Sequence, residues 1–397
     1  MSNATTTRQA HYKTMNNSTT THQTHYKTMI YLDSAATSLH KPPSVAAAMV
    51  DAISNLGNPG RGAHKHALNA SRQVYDGRKT VASLFGTRPD KVAFTSSATD
   101  SLNIAIGGLI SHTDHVITTV LEHNSILRPL YNTGCDISTI DITQDGNLDY
   151  AAFERSLKLN TKAVVITTAS NLTGLVVDIE FVKSFCKQHG LLLIIDAAQT
   201  AGMLPISMTD IHVLCFTGHK SLLGPQGIGG LCANIEILPS KFGGSGVDSF
   251  SKTQPTEMPE VLEAGTLNTP GIAGLTAGIA YIQASGMAEV YKKSLQLAEA
   301  FYNEVLQIAN VKILCNFQLP HVPIVTLNIA GLSSTEVEFR LSNDFEISVR
   351  GGAHCAPLLH QSLGTQKQGA VRFSFSSFNA EDDVYTAVKA VRSIADN

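Results

Sequence analysis

A lysine and an aspartate follow two strand-like segments in the middle of the chain. Asp196 ends the apolar run LLLIID, and Lys220 comes about 24 residues later, directly after HVLCFTG. That interval accommodates one helix or loop and one strand, so the two side chains are predicted to face one cleft. A lysine after a strand is more often a solvated surface residue, and the pair alone does not identify a cofactor site.

One cysteine has a setting that the others lack. Cys355 lies in RGGAHCAP, a Gly-rich loop after a β-branched segment, where we expect an exposed thiol. A thiolate is the nucleophilic form of cysteine, and a positive charge on His354 or Arg350 would hold the pKa of the Cys355 thiol down. From the loop setting alone, an incidental thiol is an equally good interpretation.

These candidate residues belong to a repeating pattern of strands and helices. From Ile30 onward, short β-branched runs alternate with amphipathic segments such as IEFVKSFCKQHG. This α/β pattern predicts a mainly parallel sheet covered by helices on both faces. Ligands bind beyond the carboxyl ends of the strands in such sheets. The polar segments at those ends are TSSATDSLN, EHNS, ASNLTG, DAAQ and TGHK.

The pattern also divides the chain into regions. Residues 45–282 are predicted to form a large domain, and residues 283–397 a smaller α+β C-terminal domain, which residues 30–44 join. Residues 1–29 are rich in Thr, Asn, Ser and His and contain the duplicated TTTRQAHYKTM and TTTHQTHYKTM. We expect a disordered tail without a catalytic role. Metal binding by its histidines is the less favoured alternative, because Cys and acidic co-ligands are missing.

Composition and charge favour a protein that acts on small molecules. The 397 residues carry a net charge of -3 with acids and bases mixed, which gives no field suited to nucleic acid. No run approaches the roughly 18 apolar residues of a membrane span. Five of the six cysteines lie among apolar or strand-like residues, as buried reduced thiols do, and no leader opens the chain. We therefore expect a cytoplasmic location.

From Ile30 to the C terminus the sequence resembles the fold-type I pyridoxal-phosphate enzymes, and within them the class V aminotransferase group that contains the cysteine desulfurases. The segments that carry the resemblance are YLDSAATS, FTSSATDSLN, LEHNSI, ASNLTG, DAAQ, TGHK with GPQGIGG behind it, EAGTLNTPG and RGGAHCAPLLH. The R-x-G-x-H-C-A pattern is similar to that of the second group of desulfurases and selenocysteine lyases. The implied fold is a large domain with a mainly parallel sheet between helices, plus the smaller α+β domain.

The resemblance implies how the ring of pyridoxal 5'-phosphate is held. Lys220 would supply the amine that binds the cofactor covalently, and Asp196 the carboxylate that keeps the pyridinium nitrogen protonated. Gln199 would bond the phenolic oxygen, His123 would stack on the ring and pass protons, and Asn171 would contact cofactor and substrate. No metal site is implied.

The phosphate of the cofactor would be held by a helix N-terminus and by hydroxyl groups. The resemblance places Ala98, Thr99, Thr217 and His219 there, and it implies that Thr266 reaches the phosphate of the neighbouring subunit in a homodimer. Taken singly, Thr99 could instead cap a helix, and His219 could be a satisfied core histidine.

Substrate binding is assigned to a further set of residues. Arg372 would grip the α-carboxylate with its fork of donors, although a salt bridge is the ordinary explanation for an arginine in a strand. Asn171 would assist, Arg350 would lie nearby, and His64 would line the site, with two basic neighbours that weaken its assignment.

Three positions depart from the family pattern. Ser97 stands where glycine is common, Ala98 where threonine is frequent, and Thr217 where serine is frequent. The hydroxyl at Thr217 and the N–H at Ala98 survive. Ser97 is the departure that could change the loop geometry and the affinity for the cofactor.

The function implied is a cysteine desulfurase. Lys220 would remove the α-proton of bound L-cysteine, and Cys355 would take the sulfur as a persulfide, release alanine, and pass the sulfur to an acceptor protein or reductant. A selenocysteine lyase would use nearly the same residues. An aminotransferase of the same fold would make Cys355 incidental, and a non-catalytic binding protein would be expected to have lost Lys220 or Asp196.

Overall fold

The computed structural model describes residues 29–60 and 62–396. All of the predicted tail except Met29 therefore lies outside the described residues, as do the histidines His11, His22 and His25. Within the described ranges, no helix combines the length and the apolar character that a bilayer crossing requires.

A seven-stranded sheet forms the centre of the larger part of the molecule. Its strands, in chain order, are β2 (Val92–Thr95), β3 (His115–Thr119), β4 (Asp136–Ile140), β5 (Thr161–Thr167), β6 (Leu192–Asp196), β7 (Val213–Thr217) and β8 (Gly229–Ala233). The spatial order is β2-β8-β7-β6-β5-β3-β4. Only β8 runs antiparallel to its neighbours, so the prediction of a mainly parallel sheet is confirmed.

Helices cover both faces of this sheet, as the sequence predicts. They are α1 (Pro43–Asn55), α2 (Lys65–Phe85), α3 (Ala98–Leu109), α4 (Asn124–Thr133), the short α5 (Ala152–Arg155), α6 (Ile179–His189) and α7 (Thr269–Ser285). Alternate residues of a strand point to opposite faces. Accordingly Leu193 and Ile195 of β6 pack into the core beneath α2, α6 and α7, whereas Ile194 packs into the core beneath α3 and α4.

The C-terminal part has its own antiparallel sheet and apolar core. The sheet order is β12-β13-β10-β9, formed by β9 (Val311–Ile313), β10 (Ile324–Ile329), β12 (Arg350–Gly352) and β13 (Ala370–Ser374). The helices are α8 (Met287–Val305), α9 (Ser334–Phe345), α10 (Pro357–Leu363) and α11 (Glu381–Ala395). At the centre of this core, the ring of Phe301 contacts the rings of Phe373 and Phe375.

The N-terminal segment packs against this C-terminal part. Strand β1 (Ile30–Tyr31) pairs in parallel with β11 (Ile347–Ser348), and Asp33 forms a bridge to Ser374. Leu32 is fully buried in the same core. The assignment of residues 30–44 to the smaller domain and the domain boundaries at residues 45 and 283 stay predictions.

Candidate active site

A cavity of about 490 Å³ lies where the carboxyl ends of the large sheet meet the C-terminal part. Strand ends, the N-terminal segment and the loop after β12 all contribute to its wall. Most of the residues singled out from the sequence line it: Ala98, Thr99, His123, Asn171, Asp196, Gln199, Thr217, His219, Lys220, Arg350, Cys355 and Arg372. The fold thus brings together residues that are as much as 274 positions apart.

Lys220 and Asp196 line this cavity, and the charge of each affects the pKa of the other. Burial lowers the pKa of Lys220 to about 8, and the negative charge of Asp196 opposes that shift. Burial raises the pKa of Asp196, whereas the Ala198 N–H, 2.8 Å from its Oδ1, and the charge of Lys220 lower it. A lysine with a pKa near neutrality loses its proton readily, so Lys220 is suited to act as a nucleophile and as a base.

Several buried polar atoms around the cavity have no partner among the described residues. They are Thr217 Oγ1, His219 Nδ1, Asn171 Oδ1 and the Nε of Arg372. Buried polar atoms are normally hydrogen-bonded, so a group of unpaired ones around one cavity indicates a polar ligand. Together with the amine of Lys220 and the carboxylate of Asp196, these atoms fit a ligand that carries a carbonyl, a ring nitrogen and a phosphate.

The start of α3 offers the N–H groups that a phosphate requires. Ser97 is the N-cap residue, and its Oγ accepts a hydrogen bond from the N–H of Asp100. The alternative that Thr99 serves as the cap is therefore wrong. The hydroxyl of Thr99 lies 2.6 Å from Ser125 Oγ at the cavity wall. A helix N-terminus with an adjacent hydroxyl is a common binding site for anions.

The backbone beneath this helix start explains how Ser97 is tolerated. Ser97 has a φ of -174°, an extended conformation that needs no glycine. Glycine is required instead at Gly229 of β8, where a Cβ would lie 2.8 Å from the backbone of Ser97. The loop therefore keeps its close contact with the sheet through the glycine on the opposite side.

His123 is held as a neutral ring with one defined tautomer. Its Nδ1 accepts the N–H of Ser125 at 3.0 Å, which leaves the proton on Nε2. Burial, then the charge of Lys220, lowers the pKa of His123 to about 4. Ser125, whose hydroxyl lies 2.8 Å from the same nitrogen, was not singled out from the sequence, although it stands within the quoted LEHNSI.

The residues before Lys220 are fixed by the N-terminal segment. The carbonyl of His219 accepts hydrogen bonds from the N–H of Ser38 at 2.9 Å and from the hydroxyl groups of Ser38 and Thr37. Gln199 is held similarly, since its Nε2 donates to the carbonyl of Ala35 at 3.2 Å. His219 is not the satisfied core histidine that was the alternative interpretation, because its Nδ1 lacks a partner.

Arg372 and Arg350 share one carboxylate. Arg372, only 3% exposed, donates to Asp33 Oδ1 at 2.9 Å and to the carbonyl of Asn171 at 2.8 Å. The Nε of Arg350 donates to the other oxygen of Asp33 at 3.1 Å. The salt bridge that was the ordinary explanation for Arg372 is thus present, and it still leaves the arginine in the cavity wall. Asp33 was missed as a site residue.

The loop that carries Cys355 is tied to the cavity by its backbone. The carbonyl of Cys355 accepts the N–H of Asn124 at 2.8 Å, and the carbonyl of His354 accepts the side-chain amide of Asn171 at 2.7 Å. Both loop residues have positive φ angles, 50° and 55°, which non-glycine residues seldom adopt. As expected, the Cys355 side chain is exposed.

The expected effect of His354 on the thiol is wrong. Its Nε2 lies 2.9 Å from the carbonyl of Ala370, and burial lowers its pKa to about 3. His354 is therefore neutral and provides no positive charge to Cys355. The guanidinium of Arg350 forms an ion pair with Asp33.

Two predicted site residues lie outside this cavity. His64 is the N-cap residue of α2, where its Nδ1 accepts the N–H of Ala67 at 3.3 Å. Thr266 lines a separate cavity of about 700 Å³ beside the buried ion pair of Arg78 and Glu263. The roles assigned to His64 and Thr266 stay predictions, and that of Thr266 requires a neighbouring subunit.

A lysine and a carboxylate at the strand ends of a mainly parallel sheet, next to a phosphate-binding helix start, are the features of a fold-type I pyridoxal-phosphate enzyme. Residues 30–386 match the class-V aminotransferase family. The chain belongs to this family and, within it, to the cysteine desulfurases. Its members depend on pyridoxal phosphate, which the cavity fits.

Relatives of known name and structure support this membership. A probable cysteine desulfurase of Pyrococcus abyssi is 32% identical over 90% of this chain and 92% of its own length. The apo structure of a cysteine desulfurase from Thermococcus onnurineus has a TM-score of 0.86 and 31% identity, covering 93% and 95% of the two chains. The structure of a cysteine desulfurase from Escherichia coli has a TM-score of 0.83 and 26% identity, covering 93% of this chain and 95% of its own.

Proposed function

We propose that this protein converts L-cysteine to L-alanine and takes the sulfur onto Cys355 as a persulfide. The observation that carries the proposal is the position of Cys355: an exposed thiol in the wall of the cavity that also contains Lys220 and Asp196. The backbone N–H of Asn124 and the side-chain amide of Asn171 donate hydrogen bonds to carbonyls of its loop and hold the loop there. An aminotransferase would have no use for a thiol at this place.

The substrate would be oriented by the arginine side of the cavity. Arg372 forms an ion pair with Asp33, and its Nε has no partner among the described residues. It therefore retains a donor for the α-carboxylate of the substrate. Asn171, whose Oδ1 also lacks a partner, lies beside it. Such a clamp directs the substrate amine toward Lys220 and its thiol toward Cys355.

Lys220 and His123 would move the protons. Pyridoxal phosphate, when bound, supplies the electron sink that makes the α-proton of the substrate acidic. Lys220, with its lowered pKa, can take that proton from the α-carbon. His123 carries its proton on Nε2 and can therefore donate one at that atom.

Sulfur transfer needs one nucleophile and one acceptor. The thiolate of Cys355 would attack the substrate sulfur, so that an S–S bond forms while the C–S bond of the substrate breaks. The electron pair of the broken bond stays with the carbon skeleton, which takes up a proton and leaves as alanine. The persulfide then passes its outer sulfur to the thiol of an acceptor protein or of a small reductant. Such an acceptor can reach Cys355 because its loop is exposed.

Three further features belong to the proposal. A homodimer would place Thr266 at the phosphate of the neighbouring subunit, and the separate cavity beside Arg78 would then lie at the contact. A cytoplasmic location would keep the six free cysteines reduced. Selenium chemistry would use the same cavity, so L-selenocysteine is the alternative substrate to be tested.

The deciding experiment measures alanine and sulfide release from L-cysteine, and alanine and selenide release from L-selenocysteine, after bound cofactor has been confirmed by absorbance. The wild type is compared with Cys355→Ala and with the matched control Cys135→Ala, whose thiol is outside the cavity. We expect cysteine turnover to disappear only in Cys355→Ala. Cysteine turnover that survives in Cys355→Ala would contradict a persulfide on Cys355. Turnover of selenocysteine but not of cysteine by the wild type would assign the protein to selenium chemistry.

A further inference from the structure

A second carboxyl group lies behind the cavity and has no part in the proposed mechanism. Glu122, the residue before His123, is completely buried. Its Oε1 lies 2.6 Å from the hydroxyl oxygen of Thr119, and its Oε2 accepts the N–H of Thr167 at 2.8 Å. Thr167 is paired with Asp196 across β5 and β6 and lines the cavity. Glu122 thus joins the ends of β3 and β5, one strand away from Asp196.

The surroundings of Glu122 provide no compensating charge. Among the described residues it forms no salt bridge. The groups that act on it are the hydroxyl of Thr119 on β3, the N–H of Thr167 on β5 and the carboxylate of Asp196 on β6. A carboxyl group that is buried without a cation, next to a second carboxylate, holds its proton.

The two neighbouring carboxyl groups differ in what favours their ionised form. Asp196 has the positive charge of Lys220 as well as the N–H of Ala198. Glu122 has two neutral donors, and burial, with a smaller effect of Asp196, raises its pKa to about 8. These differences favour the proton on Glu122 over the proton on Asp196.

We propose that Glu122 is a positioning residue of the cofactor site. It stays protonated at neutral pH with its O–H donating to the hydroxyl oxygen of Thr119, holds the end of β5 in place through the N–H of Thr167, and leaves Asp196 as the ionised carboxylate of the pair. This inference rests on the cofactor site of the proposed function, and it is independent of whether sulfur or selenium is removed. A protonated Glu122 also explains why a glutamate is compatible with complete burial beside Asp196.

The first test uses Glu122→Gln, because an amide has the shape of a protonated carboxyl group and cannot ionise. Glu236→Gln, on an exposed residue after β8, is the matched control. Thermal unfolding of the cofactor-free proteins is followed from pH 5 to pH 9. The folded wild type holds a proton that the unfolded chain releases above about pH 4.5, so its stability falls as the pH rises toward about 8.

The expected result is a difference in melting temperature that depends on pH. The melting temperature of Glu122→Gln should rise relative to wild type between pH 5 and about pH 8 and then level off, whereas Glu236→Gln should follow wild type throughout. A constant difference across this range would overturn the proposal. A Glu122→Gln variant that fails to fold at pH 6 would also overturn the proposal, because an amide should replace a protonated carboxyl group without loss of the fold.

A spectroscopic test separates positioning of the cofactor site from a purely structural role. Above about pH 8 the ionised Glu122 adds negative charge behind Asp196, which favours the protonated form of the bound cofactor. The pH titration of the cofactor absorbance should therefore move to lower pH in Glu122→Gln. Coincident titrations of variant and wild type would contradict an influence of Glu122 on the cofactor.

A second variant tests how Glu122 holds β5. Glu122→Ala leaves the buried N–H of Thr167 without its acceptor, and we expect the dissociation constant of the cofactor to rise by about tenfold. An unchanged constant would show that this hydrogen bond does not shape the site. If the wild type released no alanine from cysteine or selenocysteine, the proposed function would fail, while the unfolding series without cofactor would still decide the protonation of Glu122.

Discussion

The two walls of the cavity are built in different ways. The wall from the large sheet consists of strand ends: Asp196 ends β6, Thr217 ends β7, and Lys220 follows three residues later. The opposite wall consists of Cys355, Arg350 and Arg372, which depend on contacts with the N-terminal segment and with the loop of Asn171. The first wall suits a cofactor that remains bound, and the second suits a substrate and a sulfur that must come and go.

The largest effect is expected at the sheet wall. Lys220→Ala removes the amine that binds the cofactor and the base that takes the α-proton, so we expect turnover to fall by at least about a thousandfold. Alanine release from L-cysteine measures the loss, and circular dichroism confirms the fold. A variant with more than a few per cent of wild-type activity would show that another group acts as the base.

The opposite wall should be most sensitive at Asp33, the carboxylate shared by two arginines. Asp33→Asn keeps the shape but removes the charge between Arg372 and Arg350, and breaking a buried ion pair from one side costs about 3 kcal/mol. Chemical unfolding of the cofactor-free protein measures this loss. The control Asp344→Asn, on an exposed residue of α9, should remain close to wild type.

The substrate response gives Asp33→Asn a second measurement. Asp33→Asn removes the charge of one of the two fixed partners of Arg372. We therefore expect the KM for cysteine to rise while the absorbance of the bound cofactor stays close to that of wild type. If cofactor binding were lost while KM stayed constant, the division between a cofactor wall and a substrate wall would be wrong.

The sequence predicted residues of both walls, but not the residues that hold them in place. Asp196, Gln199, Thr217, His219 and Lys220 lie at or shortly after the ends of β6 and β7, and the carboxyl ends of parallel strands meet at one edge of the sheet. On the opposite wall, Cys355, Arg350 and Arg372 were also predicted. The roles of Asp33, Ser125 and Glu122 depend on partners far along the chain or behind the strand ends, which no local pattern reveals.

Two further differences between the sequence predictions and the structure come from burial and from a strand that lacks β-branched residues. The neutral state of His354 follows from its burial near Ala370, 16 positions away, so its charge could not be judged from its place beside Cys355. Strand β8 was not predicted because its sequence GGLCA begins with two glycines. Gly229 is required by the backbones of Phe216 and Ser97, and Gly230 by the backbone of Ala93 and the ring of Phe216. A sequence pattern does not show these close contacts.

The sheet wall should also show a pH dependence of cofactor capture. Burial lowers the pKa of Lys220 to about 8, so its reactive amine form increases as the pH rises through this value. The rate at which the cofactor-free protein captures pyridoxal phosphate should rise roughly tenfold from pH 7 to pH 9 and then level off. Stopped-flow absorbance measures the rate. A plateau that is reached only above pH 10 would show that burial does not lower the pKa of Lys220.

The smallest effect is expected at Ser97, where the sequence departs from the family pattern. Ser97→Ala removes the oxygen that accepts the N–H of Asp100 and should lower stability by about 1 kcal/mol. Ser97→Gly should cost only a few tenths of a kcal/mol, because glycine leaves the helix N-terminus open to water. Since the φ of Ser97 is extended, neither variant should change the affinity for the cofactor by more than a few-fold. A large gain in affinity with glycine would mean that the serine distorts the phosphate loop, and the close contact between Gly229 and Ser97 would then not be sufficient to keep its shape.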